Sequence, residues 1–256
     1  MALLALVVVA YLLGTAAFFV VACAVVGLAL FELFTALASH GHRPVVPFAV
    51  AAGLAMLPAG YSSRAELVLV VLAATTAGAL LAALRPSRGQ TPAADAGWTV
   101  LGVAWIGGGG AAGVSILRLE PGGLALLIAY LLVVACDDIA AYFVGSRFGR
   151  HKMAPSISPA KSWEGFAGGL AGALVAGAIA GAVVDELTIT QGVGIGIVCG
   201  LLAPIGDLVE SLVKREIGIK DSGGLLPGHG GFLDRVDAMI LCAPGVLVYL
   251  RIVIAP

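Results

Sequence analysis

Eight stretches of this 256-residue chain carry no charged side chain: residues 1–31, 44–63, 67–84, 96–117, 121–136, 165–184, 187–206 and 238–250. A bilayer core about 30 Å thick is crossed by about 20 apolar residues in a helix. Within it, every backbone N–H and C=O must find a partner inside the segment, which helices achieve. Most of these stretches therefore read as single membrane spans. The first apolar run, continuing to about Leu37, is too long for one span and short for two. With Gly14 and Thr15 inside it, two short helices joined by a tight hairpin are expected. The chain is 60% hydrophobic and 11% charged, against about 45–50% and about 25% in soluble domains. The expected fold is all-α: a polytopic integral membrane protein of about nine transmembrane helices.

Basic residues set the expected orientation. With nine spans, the even-to-odd loops hold Arg43, Arg85, Arg88, Arg147, Arg150, Lys152, Lys161, Lys214, Arg215, Lys220 and Arg235. The other side holds Arg64, Arg118 and Arg251. Eleven against three places the basic loops in the cytoplasm by the positive-inside rule. No Lys or Arg precedes Arg43, so the basic start of a signal peptide is missing. The four cysteines stand singly in apolar stretches, with no CxxC, and read as small core residues. Glycines at helical spacing, such as Gly165, Gly168, Gly169 and Gly172, or Gly177 and Gly181, are expected to let helices approach closely. The four glycines at 107–110 lie mid-span without a following Lys-Ser/Thr, so a helix break or close packing is expected there rather than a nucleotide loop.

Polar side chains at membrane depth narrow the function, because a carboxylate there costs at least about 2.5–3.5 kcal/mol and needs a partner or a task. Asp137 and Asp138 interrupt an apolar helix in CDDIAAYFVG. In LLAPIGDLVESLVKRE, Pro204 and Gly206 weaken one turn. Asp207, Glu210, Ser211 and Lys214 then follow on one helix face, as if lining a cavity beside a break. In GHGGFLDRVD, Asp234 and Asp237 stand at the start of the last span. His229 lies among Gly228, Gly230 and Gly231, whose backbone could approach a bulky anion.

Together these residues form two chemical sets. Asp138, Asp207 and Asp234 can hold a hard divalent cation. Lys161, Lys214, Arg215, Lys220 and Arg235 can neutralise phosphates. Acids for Mg²⁺ beside bases for phosphate suit phosphoryl or nucleotidyl transfer on a membrane lipid. A cation-coupled transporter would also explain intramembrane acids beside a broken helix. It leaves the cytoplasmic cluster of Lys, His-Gly-Gly and Asp-Arg unexplained. Another lipid-phosphate transferase, such as a prenyl transferase or a CDP-alcohol phosphotransferase, would need NDxxD or DGxxAR, which Asp137-Asp138 does not supply.

From Ser211 the chain reads SLVKREIGIKDSGGLLPGHGGFLDRVD. This resembles the signature of the phosphatidate cytidylyltransferase (CDP-diacylglycerol synthase) family: S-x-x-K-R, four residues, K-D, then P-x-H-G-G-x-x-D-R-x-D. DIAAYFVGSRFG and SPAKSWEGF look like the same family, with Ser162 where relatives more often have Thr. The resemblance implies that CTP and phosphatidate give CDP-diacylglycerol and pyrophosphate, with Mg²⁺ and a possible second, monovalent or divalent, cation. It implies a multi-pass inner-membrane enzyme with its active site facing the cytoplasm, the bilayer as its setting, a homodimer, and no nucleic-acid partner. Asp207 and Asp234 would hold the metal, with Asp138 joining them or orienting a substrate. Lys220, with His229, would belong to the catalytic set. Lys161, Ser162, Ser211, Lys214, Arg215, Asp221, Gly230, Gly231, Arg235 and Asp237 would meet the substrates. A single membrane domain over residues 1–256 is expected. Its spans in about 1–120 lack motifs, and those in about 121–256 carry the catalysis.

Overall fold

A computed structural model describes residues 14–62, 64–84, 91–219 and 231–254. Their contacts cluster into two compact units, Met1–Arg118 with Ile217–Val236, and Leu119–Glu216 with Asp237–Pro256.

The first unit holds four helices: α1 (Thr15–Ser39), α2 (Val46–Tyr61), α3 (Ala65–Ala83) and α4 (Pro92–Ile116). The helix α1 starts directly after Gly14, whose φ of 86° favours glycine, and ends before Gly41 at φ 96°. The break expected at Gly14-Thr15 thus marks a helix start. The helix expected before it lies outside the described residues. In α4 a π-helical turn, Val103–Gly107, precedes the glycine run at 107–110. A Cβ on Gly107 would lie 2.9 Å from the Gly53 Cα, and one on Gly60 2.5 Å from the Ala111 carbonyl oxygen. The glycine run therefore serves close packing of α4 on α2. Ser115 donates to the Gly60 carbonyl at 3.0 Å across the same seam. Phe34, Leu30, Met56, Leu57 and Ile106 fill the core.

The second unit is built from α5 (Gly123–Phe148), α6 (Trp163–Val183), α7 (Ile189–Glu216) and α8 (Asp237–Val253). A two-stranded antiparallel hairpin, β1 (Lys152–Ala154) and β2 (Ser158–Ser162), stands between α5 and α6. This hairpin adds a small sheet to an otherwise helical fold. Ser162 caps α6, accepting from the Gly165 N–H at 3.2 Å. Thr188 and Gln191 form a capping box at the start of α7. The Gln191 Oε1 accepts from the Thr188 N–H at 2.8 Å, and the Thr188 hydroxyl oxygen accepts from the Gln191 N–H at 3.3 Å.

Small residues decide how closely these helices approach. A Cβ on Gly172 would lie 3.0 Å from the Cys136 carbonyl oxygen, and one on Gly165 3.1 Å from that of Ala141, so α6 rides on the backbone of α5. A Cβ on Gly177 or on Gly192 would collide with the carbonyl oxygen of the other, which closes α6 on α7. In lipid, where apolar burial offers no drive between helices, such contacts supply the packing. Cys199 and Cys242 are buried and Cys136 is exposed, all with free thiols.

Two sequence expectations need amendment. Pro204 does not break its helix, because α7 runs from Ile189 to Glu216 through it. The N–H that Pro204 lacks would have bonded the Gly200 carbonyl, a loss that helices in lipid tolerate; the Pro204 carbonyl itself accepts from the Lys161 ammonium at 3.3 Å. The charge-free stretches also understate the helices. The hydrogen-bond ladder of α5 continues through Asp137 and Asp138 to Phe148, and that of α4 begins before Asp95. Among the described residues, six helices are long and apolar enough to cross a membrane. The helices α2 and α8, of 16 and 17 residues, are shorter. The expected count of nine rests on a further helix in residues 1–13, outside the described residues.

Gly192→Val should lower the stability of the detergent-solubilised protein by at least about 2 kcal/mol, since the seam has no room for the side chain. Thermal unfolding checks this, and an unchanged midpoint would refute the close contact with Gly177.

Candidate active site

In the second unit, three motifs that are distant in sequence contribute to one polar cluster. The β2 strand ends at Lys161 and Ser162 and so delivers the Lys161 side chain toward α7. There Lys161 forms an ion pair with Asp207. The two side chains are 21% and 34% exposed, so the pair is accessible rather than sealed. Asp138, on an exposed part of α5, lies within electrostatic reach of both Asp207 and Lys161. Asp237 opens α8 and is buried. Its carboxyl meets that of Asp207 and also feels Glu210.

Gly206 makes this approach possible. A Cβ there would lie 2.9 Å from the Ala238 Cα and 3.1 Å from the Asp237 carbonyl oxygen. What the sequence suggested as a weakened turn is thus a contact surface, which sets the start of α8 against the polar face of α7.

One turn further along α7, Glu210 is buried and pairs with Lys214 at 2.8 Å. Ser211 is half-buried beside it. Arg215 is exposed and donates from Nε to the Ile157 carbonyl at 3.3 Å, which ties the end of α7 to the hairpin turn. Glu164, at the start of α6, accepts from the N–H groups of Arg150 at 3.1 Å and His151 at 3.2 Å, and pairs with His151 Nδ1 at 2.6 Å. One carboxylate therefore anchors the chain entering the hairpin, while Ser162 caps the helix leaving it. Ser162 is buried, with its hydroxyl oxygen engaged in that cap.

The other expected site residues are placed as follows. Gly231, Asp234 and Arg235 belong to the first unit, on a turn that contains the 3₁₀ helix Leu233–Arg235. Asp234 accepts from the Gly231 N–H at 3.0 Å. Lys220, Asp221, His229 and Gly230 lie outside the described residues. The motifs did not single out Glu210, Glu164 or Asp137 as site residues. Asp137 is buried against α6, and its Oδ1 has no partner among the described residues. Its signal was legible, since a second acid beside Asp138 in an apolar helix carries the same insertion cost.

The donor chemistry suits a hard cation. Asp137, Asp138, Asp207, Glu210 and Asp237 supply five carboxylates to this unit's polar interior, where Lys161 and Lys214 supply the ammonium groups described above. Among the described residues, no group of three or more His, Cys, Asp or Glu side chains forms a ready metal shell. Mg²⁺ does not require one, since it commonly takes one or two carboxylates and completes its shell with water and substrate phosphate.

Comparison with known proteins identifies the family. The model of the cytidylyltransferase family matches residues 1–253. A phosphatidate cytidylyltransferase of Mycobacterium bovis is 36% identical over 173 residues, 66% of this chain and 56% of the relative. One from Haemophilus influenzae is 43% identical over 144 residues, 52% of this chain and 50% of the relative. One from Brucella suis is 42% identical over 158 residues, 60% of this chain and 56% of the relative. The chain spans about half the length of these curated relatives. With its whole length matched by the family model and these relatives above 30% identity, the chain belongs to the cytidylyltransferase family.

Proposed function

We propose that this protein is a phosphatidate cytidylyltransferase, converting CTP and phosphatidate to CDP-diacylglycerol and pyrophosphate. The observation that carries the proposal is the accessible Lys161–Asp207 pair among the carboxylates of α5, α7 and α8. The relatives' names and the signature at residues 211–237 supply the substrates.

A phosphate oxygen of the lipid attacks the α-phosphorus of CTP. A new P–O bond forms, the bond from the α-phosphorus to the bridging oxygen breaks, and pyrophosphate leaves with that oxygen. The nucleophile is already an anion, so no base is needed to create it. The obstacle is repulsion between polyanions, about 4 kcal/mol per pair of unit charges at about 4 Å and an effective dielectric of about 20.

The chain's own residues address that obstacle. Lys161 and Lys214 place ammonium groups along one polar face, and Arg215 holds the hairpin that carries Lys161. Asp207 and Asp138 would supply carboxylates to Mg²⁺, with water and substrate phosphate completing its shell, and the ion would screen the phosphates and align the reacting groups. Asp234 is proposed as a further ligand on the resemblance alone, and it belongs to the other compact unit. Lys220, Asp221, His229 and Gly230 are proposed substrate or catalytic residues on the same ground.

The proposal includes a cytoplasm-facing site in the inner membrane, supported by the bias of basic residues. It also includes a homodimer, to be read from the mass of the solubilised particle. The decisive assay incubates purified protein with labelled CTP, phosphatidate and Mg²⁺. Labelled CDP-diacylglycerol supports the proposal, and its absence from active-condition preparations rejects it.

Asp207→Asn and Asp234→Asn should each lower turnover about 100-fold or more while leaving the protein folded, because each removes a formal charge from the metal set; Asp207→Asn should also lose some stability, since Lys161 keeps an acceptor but loses its ionic partner. Near-normal turnover across a Mg²⁺ titration would refute the ligand assigned. Lys161→Met should lower turnover by at least about 10-fold and also destabilise the unit, since Asp207 loses its partner. The double variant with Asp207→Asn should regain part of that stability. A double variant no more stable than Lys161→Met would contradict the pairing.

A further inference from the structure

Glu32 stands alone in the N-terminal apolar run, the first charged residue of the chain. It lies in α1, within a unit whose expected spans carry no motif. Its side chain is 2% exposed. Its Oε2 accepts from the Leu233 N–H at 2.7 Å, while Oε1 has no partner among the described residues. Both Glu32 and Leu233 belong to the first unit.

The partner's position gives this contact its meaning. Leu233 opens the 3₁₀ helix Leu233–Arg235, and its N–H is among those a short helix start leaves without an internal acceptor. The next two residues are Asp234 and Arg235. Asp234 uses one oxygen to accept from Gly231 N–H and so closes its own turn. Glu32 holds the same turn from outside. The side chain of Leu233 is buried, which leaves its backbone little freedom once the N–H is held.

A packing role alone accounts poorly for a carboxylate here. An apolar side chain would fill the space in α1 without the cost of an acid at membrane depth. The acid gains by accepting the Leu233 N–H, since a hydrogen bond to an ionised acceptor is about twice as strong as a neutral one.

We propose that Glu32 is a positioning residue for the reaction: it fixes the turn at residues 231–235 and thereby aims Asp234 and Arg235. This rests on the reading of Asp234 as a site residue. It also assigns a task to the N-terminal helices, which otherwise carry no site residue.

Two variants in the full chain test it. Glu32→Met keeps the length and suits an apolar helix but removes the acceptor. Glu32→Gln removes the charge and keeps an acceptor. For Glu32→Met, the Leu233 amide should exchange with deuterium about tenfold faster or more. Turnover should fall about tenfold, and half-maximal rate should need more Mg²⁺. Glu32→Gln should keep slow exchange at Leu233 and at least about a third of the turnover. Should Glu32→Met fail to fold, Glu32→Gln decides alone, since loss of turnover with intact exchange protection would overturn a role through the hydrogen bond.

Wild-type exchange and Mg²⁺ dependence in Glu32→Met would also overturn it. Amide exchange is read without substrate, so a wild-type protein inactive on CTP would reject the proposed activity and leave the Glu32 contact separately tested.

Discussion

An acid at membrane depth needs a partner or a task, and in the second unit Lys161 is the partner that ties Asp207 to a distant part of the chain. The pair joins a strand end to the middle of a long helix, residues 46 positions apart. Lys161 also takes up the Pro204 carbonyl, so one ammonium serves a carboxylate and the backbone of a proline-containing turn. The surrounding polar contacts keep that lysine in place. Glu164 gathers the backbone entering the hairpin, Ser162 caps the helix leaving it, and Arg215 holds the turn from α7. An ion pair this accessible adds little net stability, yet removing one partner leaves the other's charge unmatched. Such an arrangement favours one placement of the hairpin over others.

Backbone packing sets the electrostatics. Gly206 has no side chain to hold the start of α8 away, so Asp237 comes up to Asp207. Two carboxyl groups at close range favour a cation or a shared proton between them, and Lys161 brings a cation to Asp207 in this structure. The glycine seams among α5, α6 and α7 work the same way, because helices that touch backbone to backbone leave their polar faces close together. In the first unit, equally tight seams around Gly53, Gly60 and Gly107 enclose a far less polar interior. Its notable acids are Glu32, on the Leu233 N–H, and Asp95, beside His42 at 3.3 Å.

Much of the architecture was legible because lipid is a strict solvent. A helix that must satisfy its own backbone and expose only apolar atoms leaves long charge-free stretches, and within the described residues the helices follow those stretches. Their ends were less legible. The charge-free stretch at 187–206 stops before Asp207, and only the helical spacing of Asp207, Glu210, Ser211 and Lys214 carries the helix further in the sequence; α7 continues to Glu216. Pro204 shows the same limit of local rules. They price the hydrogen bond lost at the Gly200 carbonyl, while close packing at Gly196, Gly200 and Gly206 holds α7 against its neighbours and the helix runs on.

For the site, sequence alone named Asp138, Asp207 and Asp237 as polar residues in places where polarity is costly, and Lys161 among the cations that could neutralise phosphates. It determined the solvent, the helical class and the chemical kind of the site, because composition and burial cost are properties of each segment taken singly. Which acid faces which base was decided only in the tertiary structure. Asp207 pairs with Lys161 rather than Lys214, Ser162 caps a helix, and Glu32 holds the turn beside Asp234. These outcomes depend on how closely segments distant in sequence approach one another, and at Gly206 that approach is set by a missing Cβ on one helix against the backbone of another.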